Sequence, residues 1–214
     1  MAAPRRLLLP LGIAALALLL WDSFVAFPFR IFVVFLHEIS HGLAAVVTGG
    51  AIESIGLRFD EGGVCRTRGG WPFLILNAGY LGSLLWGATF LVLGERRTRS
   101  RTVIAVIGAF TLIVTLFYVR TLFGFAYGLA VGCAFVAIAA KLQPAVSEIL
   151  LAAIGATSAL YAVWDIASDV LFRHSNASDA AALAQLTGIP AIIWGVAWIA
   201  LSVGVLAYVI KRLA

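Results

Sequence analysis

Seven apolar runs follow one another along this chain, at roughly 6–21, 23–48, 71–94, 102–119, 121–140, 145–172 and 189–210. Several reach the roughly 18 uncharged residues that a helix needs to cross a bilayer. That one feature restricts the fold to a polytopic helical membrane protein. Composition agrees: 63% of the 214 residues are hydrophobic and only 12% charged, with a mean hydropathy of +1.06. A soluble domain of this length has no interior large enough to hide so much apolar surface. We therefore expect a single membrane-embedded domain over 1–214, all-α, with about six to seven transmembrane helices.

The net charge of +5 does not imply a nucleic-acid partner. Its basic residues fall mostly between apolar runs, where they read as membrane-interface anchors rather than as a solvated basic face. Cys65 and Cys133 have no C-x-x-C spacing and suggest neither a disulfide framework nor a cysteine metal site. The basic start Met1–Arg6 and the apolar stretch after it have the layout of a signal peptide. Trp21-Asp22-Ser23-Phe24 offers no small-x-small cleavage site, so a retained first helix is expected. Arg5 and Arg6 favour a cytoplasmic N-terminus, whereas strict alternation would then put Arg96, Arg97, Arg99 and Arg101 outside. Either one segment does not fully cross, or one cluster is overruled.

Residues 50–70 break the helical pattern. Ile55, Leu57 and Phe59 alternate with Ser54, Gly56, Arg58 and Asp60, which is strand periodicity. Asp60-Glu61-Gly62-Gly63 supplies turn residues, and Val64–Arg68 a return strand. A short β-hairpin between the second and third helices is predicted. It has to lie at the interface or be covered by protein, because lipid cannot satisfy an open strand edge.

The chemistry is concentrated in the second helix, at His37-Glu38-Ile39-Ser40-His41. Residues i and i+4 share a helix face, so both imidazoles can reach one ion. Neutral imidazole is a good zinc ligand. Glu38, beside the first histidine, is placed to take a proton from a zinc-bound water whose pKa the metal has lowered. With 3 histidines and 5 glutamates in the chain, chance gives this H-E-x-x-H pattern only about once in 1000 such sequences. The bland alternative is a pair of histidines bonding between helices. Two imidazoles and a carboxylate within a membrane helix are costly without a function, which favours zinc.

A catalytic zinc needs a third protein ligand and an open position. His174 follows Arg173 at the end of the sixth run, where a solvated interface histidine is expected. Asp165 and Asp169 sit i, i+4 on one face of that run. Three crossings separate it from the second helix, so the two run in the same direction. At 1.5 Å per residue, His37 and His41 lie roughly 21–27 Å into their helix, Asp165 about 30 Å and Asp169 about 36 Å into theirs. Asp165 is the better match, with Asp169 as a supporting partner of the site or an interface residue. Asn77 offers either a substrate or oxyanion contact or a hydrogen bond between helices, as membrane asparagines commonly make. Ser175–Asp179 reads as an interfacial loop capping a short helix. Asn176-Ala177-Ser178 also matches a glycosylation sequon, a pattern common by chance.

The chain resembles the site-2 protease family of intramembrane zinc metallopeptidases, most closely its compact bacterial branch, over most of its length. The resemblance rests on His37-Glu38-x-x-His41, the glycine-rich hairpin region, Asn77-Ala78-Gly79 and Asp165. It departs where Tyr80 follows Gly79 in place of a common proline, and where no glycine follows Asp165. It implies zinc held by His37, His41 and Asp165, with Glu38 activating water to hydrolyse peptide bonds of membrane-associated substrates. It also implies a multi-pass protein of the cell membrane, by the branch it resembles a bacterial plasma membrane. The partners implied are the lipid bilayer, a membrane-protein substrate and a regulatory membrane partner. Two alternatives stand beside it: a non-proteolytic zinc-binding membrane protein, and a transporter using the ionisable residues as an ion path.

Overall fold

The computed structural model describes residues 12–94, 97–168 and 178–213. The first apolar run lies partly outside them; its residues 12–19 are helical and are termed α1. After it come α2 (Phe27–Val47), the strands β1 (Ala51–Leu57) and β2 (Gly63–Arg68), and α3 (Pro72–Gly94). Then follow α4 (Arg97–Tyr118), α5 (Leu122–Lys141), α6 (Pro144–Ala167), α7 (Asp179–Thr187) and α8 (Ala191–Leu213). Among the described residues, six helices are long and apolar enough to cross a membrane: α2 to α6 and α8. Proline near the start of α2 and of α6 is compatible with a helix beginning there, because the first N–H groups lack helical partners anyway.

α2 is the central element. Ile31, Phe32, Val33, Phe35, Leu36 and Ile39 are all buried, so apolar residues surround it on nearly every side. Such a helix belongs inside a bundle rather than against lipid. α3 runs antiparallel to it, and α6 antiparallel to α3.

The α3–α6 crossing is close because both helices present glycine. A Cβ at Gly87 would lie 2.8 Å from the backbone nitrogen of Ala159, and one at Gly155 would lie 3.0 Å from the Gly87 carbonyl oxygen. Ser158 adds a hydrogen bond to the Ser83 carbonyl at 2.7 Å. Small residues let membrane helices gain dispersion contact where the hydrophobic effect supplies none. Gly87→Val should therefore destabilise the folded protein by about 1–3 kcal/mol, the usual cost of overpacking. Thermal unfolding in detergent, read against wild type, measures it.

The predicted hairpin is present. β1 and β2 pair antiparallel in the register Ile55↔Cys65 and Leu57↔Gly63, with an irregularity between Ile52 and Ser54. α2 ends at Thr48; Gly49 (φ +87°) turns the chain, and the Gly50 N–H reaches back to the Ala45 carbonyl. The hairpin then folds back along α2, so that Glu61 in its turn meets Arg30 in the first turn of that helix at 3.1 Å. On its β1 edge, backbone groups are satisfied by protein. The segment after α4 covers β1: Arg120 N–H donates to the Ile55 carbonyl at 2.9 Å, and Leu57 N–H to Thr121 Oγ1 at 3.0 Å. Glu61 takes the positive φ of the turn (63°) although two glycines follow it, and its ion pair with Arg30 ties that turn down.

Candidate metal centre

α2 places His37 and His41 one turn apart on the face toward α3, with ring centroids 4.8 Å apart. His41 Nδ1 lies 2.6 Å from the carbonyl oxygen of Ile75 in α3. A carbonyl only accepts, so Nδ1 carries the proton and Nε2 of a neutral ring carries the lone pair. The His37 ring is held edge-on against Tyr80 at 5.0 Å. Tyr80 in turn packs on Trp198 of α8 at 4.9 Å.

Both free nitrogens face one atom. Oδ2 of Asp179 is 3.1 Å from His37 Nε2 and 3.2 Å from His41 Nε2. His41 thus aims a lone pair at a carboxylate oxygen, an arrangement that needs a positive charge among the three donors. The spacing suits an ion. A tetrahedron of donors about 2.0–2.1 Å from zinc has edges of roughly 3.3 Å. His37, His41 and Asp179 form the group of potential metal ligands found among the described residues.

Space for the ion comes from α3. A Cβ on Gly79 would stand 2.5 Å from Nε2 of both histidines. Having no Cβ, Gly79 leaves open the space beside the paired nitrogens where a cation would go. Donor types, spacing and void together fit a bound divalent metal.

Glu38 lies beside this group, buried. Gly63 of β2 makes room for it, since a Cβ there would collide with the carboxylate, and the backbone N–H of Cys65 donates to it. His37, Glu38, His41, Gly63 and Asp179 line one cavity of about 350 Å³, together with Asp60, Glu61, Val64, Tyr161, Asp165 and Ser178. Two charged residues of the hairpin turn, Asp60 and Glu61, stand at its wall.

The local electrostatics follow from this packing. Burial alone would raise the Asp179 carboxyl, but positive charge on the imidazoles facing it, with their hydrogen bonds, outweighs that and holds it below the ordinary carboxylate range. Burial, with Glu38 nearby, pushes the Cys65 thiol up to about 12. Cys65 is thus a protonated thiol at neutral pH, unsuited to act as thiolate ligand or nucleophile.

Helix depth and parity favour Asp165 as the third donor. The structure places Asp165 on the cavity wall, but the carboxylate that meets both imidazoles belongs to Asp179. The physical reason is α7, a nine-residue helix capped by Ser178, whose Oγ accepts from Ala181 N–H at 3.2 Å. It packs back against α3 and α8, and its first residue meets both histidines. An acidic residue just after a serine cap reads as a routine partner of the helix dipole, so the sequence alone does not single out Asp179. The available signal was the lack of any further histidine able to complete the site.

Asp169 lies outside the described residues, as do His174 and Asn176. Asn77 bonds between helices: its Oδ1 accepts from Trp198 Nε1 at 2.8 Å, and its Nδ2 donates to the Phe73 carbonyl at 2.8 Å. Its side chain borders an apolar groove between α2 and α3, not the metal cavity.

A bundle of membrane-length helices enclosing two imidazoles, a bridging carboxylate and a buried glutamate defines a class, the multi-pass membrane proteins with a metallopeptidase-type centre. Within it, the chain belongs to the Peptidase M50B-like family, whose sequence model matches residues 11–209. That membership, consistent with the site-2 protease resemblance, implies a membrane metalloprotease. No curated protein and no solved structure matches the chain.

Proposed function

We propose that this protein is an intramembrane zinc metallopeptidase of site-2 type that hydrolyses peptide bonds of membrane-associated substrates. His37, His41 and Asp179 hold the ion, and Glu38 is the general base. The observation that carries the reading is the meeting of both imidazole Nε2 atoms on one carboxylate oxygen, over the void at Gly79 and beside Glu38. Zinc, when bound, supplies Lewis acidity that polarises a carbonyl and acidifies water.

The chain's own residues do the rest. The Ile75 carbonyl fixes the His41 tautomer. Glu38 takes a proton from water and returns it to the leaving amine nitrogen. The hydrogen bond from Cys65 N–H and the contact with Gly63 fix the direction of that carboxylate. A substrate helix keeps its backbone bonds internal, so it has to unwind before attack. The edge of β2 bordering the cavity offers the unwound segment a strand to pair with. Substrates are membrane proteins of the cell membrane, and a regulatory membrane partner contributes to their selection. A bacterial plasma membrane suits the compact branch.

Glu38→Gln tests this reading. It should leave zinc content unchanged and lower cleavage of a reconstituted membrane substrate by about 10²–10⁴-fold, the usual contribution of a general base. Full cleavage by a zinc-loaded Glu38→Gln protein would refute the mechanism. Zinc binding without cleavage of any membrane substrate by wild type would favour a non-proteolytic role.

A further inference from the structure

The hairpin and its turn carry Glu53, Arg58, Asp60, Glu61, Arg66 and Arg68 as charged residues. Arg58 pairs with Asp60, Glu61 with Arg30 at 3.1 Å, and Arg68 with Glu53 at 3.6 Å. Arg66 is the exception. Its side chain is exposed and has no ion pair or hydrogen bond among the described residues.

Register fixes where Arg66 stands. A Cβ at Gly42 of α2 would meet Cys65 Sγ at 3.4 Å, so Cys65 faces α2. Its neighbours Val64 and Arg66 therefore stand on the opposite, outward face. The two edges of the hairpin also differ. Residues 119–121 already occupy the β1 edge at Ile55 and Leu57. The β2 edge borders the cavity: Glu38 accepts from Cys65 N–H there, and Gly63 and Val64 line the cavity wall. An extended segment running along β2 would reach the metal group near Gly63 and pass Arg66 a few residues away.

We propose that Arg66 is a specificity determinant, selecting extended substrate segments that carry an acidic side chain cross-strand from it. The inference rests on the peptidase reading, in which the β2 edge receives substrate. Opposite charges directly across a strand pair attract, and like charges repel. An exposed arginine held two residues from the cavity wall, while each of its charged neighbours is neutralised, is suited to that selection.

The test uses full-length Glu38→Gln protein in neutral detergent, so that bound peptide is not consumed. The probes are fluorescent decapeptides of alanine, threonine and valine carrying one glutamate or one lysine at successive positions, with binding read by anisotropy. At one position the glutamate peptide should bind about three- to tenfold more tightly than its lysine twin. Adding Arg66→Glu should invert that preference, and raising salt should shrink it. An unchanged preference at every position, or no binding of any peptide, overturns the proposal. If Arg66→Glu instead weakens adsorption to phosphatidylglycerol vesicles and leaves peptide preference alone, the residue is a headgroup anchor. Cleavage by the wild type separates the two readings. Cleavage without inversion sinks only the role of Arg66. Inversion without any cleavage sinks the peptidase reading and keeps the docking edge.

Discussion

Asp179→Ala should purify without zinc, while Asp165→Ala retains it. The contrast is sharp because both carboxylates line the same cavity, yet only Asp179 has an oxygen within 3.2 Å of both imidazole Nε2 atoms. Structural zinc is bound by about 10–16 kcal/mol, so one of three protein ligands is worth several kcal/mol, a loss on the order of 10³-fold in affinity. The substitution should not unfold α7, since the cap is the Ser178 hydroxyl and not the aspartate. Activity should fall further than in Glu38→Gln, because both the Lewis acid and the purpose of the base disappear together. Metal content of the purified proteins by mass spectrometry, with circular dichroism for the fold, measures this directly. Zinc retained by Asp179→Ala and lost by Asp165→Ala would return the third ligand to α6.

That contrast also marks where sequence legibility ends. The spans were readable because each apolar run answers to one requirement, the thickness of a bilayer, and α2 to α6 and α8 fall where those runs lie. The hairpin was readable because period-2 alternation and the Asp60–Gly63 turn point the same way. His37, Glu38 and His41 were readable because their relation is local: a helix fixes i and i+4 without help from the rest of the fold. The third carboxylate obeys no such local rule. Parity and depth point to Asp165 in α6. They cannot register that a short capped helix, too brief to be a span, folds back and puts Asp179 nearer. Asn77 was open for a similar reason: only the arrival of Trp198 from α8, 121 residues further on, assigns its amide.

Gly79→Ala should empty the metal site by adding one methyl group. In a helix interior this exchange ordinarily stabilises by about 0.5–1 kcal/mol, because alanine loses less backbone entropy on folding. Here the new Cβ would lie 2.5 Å from Nε2 of His37 and 2.5 Å from Nε2 of His41, within the space a shared ion must use. α3 has little freedom to withdraw. The His41–Ile75 bond, the Asn77–Trp198 bond and the Ser158–Ser83 bond hold it on three sides. The histidines have to rotate away instead, which costs His41 its carbonyl partner and separates the donors. The expected result is a folded, zinc-free protein without peptidase activity. Gly204→Ala in α8 is the control, because nothing lies within 4 Å of the Cβ it would add; it should keep zinc and activity. A Gly79→Ala protein that binds zinc as wild type does would mean that the ion is not held between those two nitrogens.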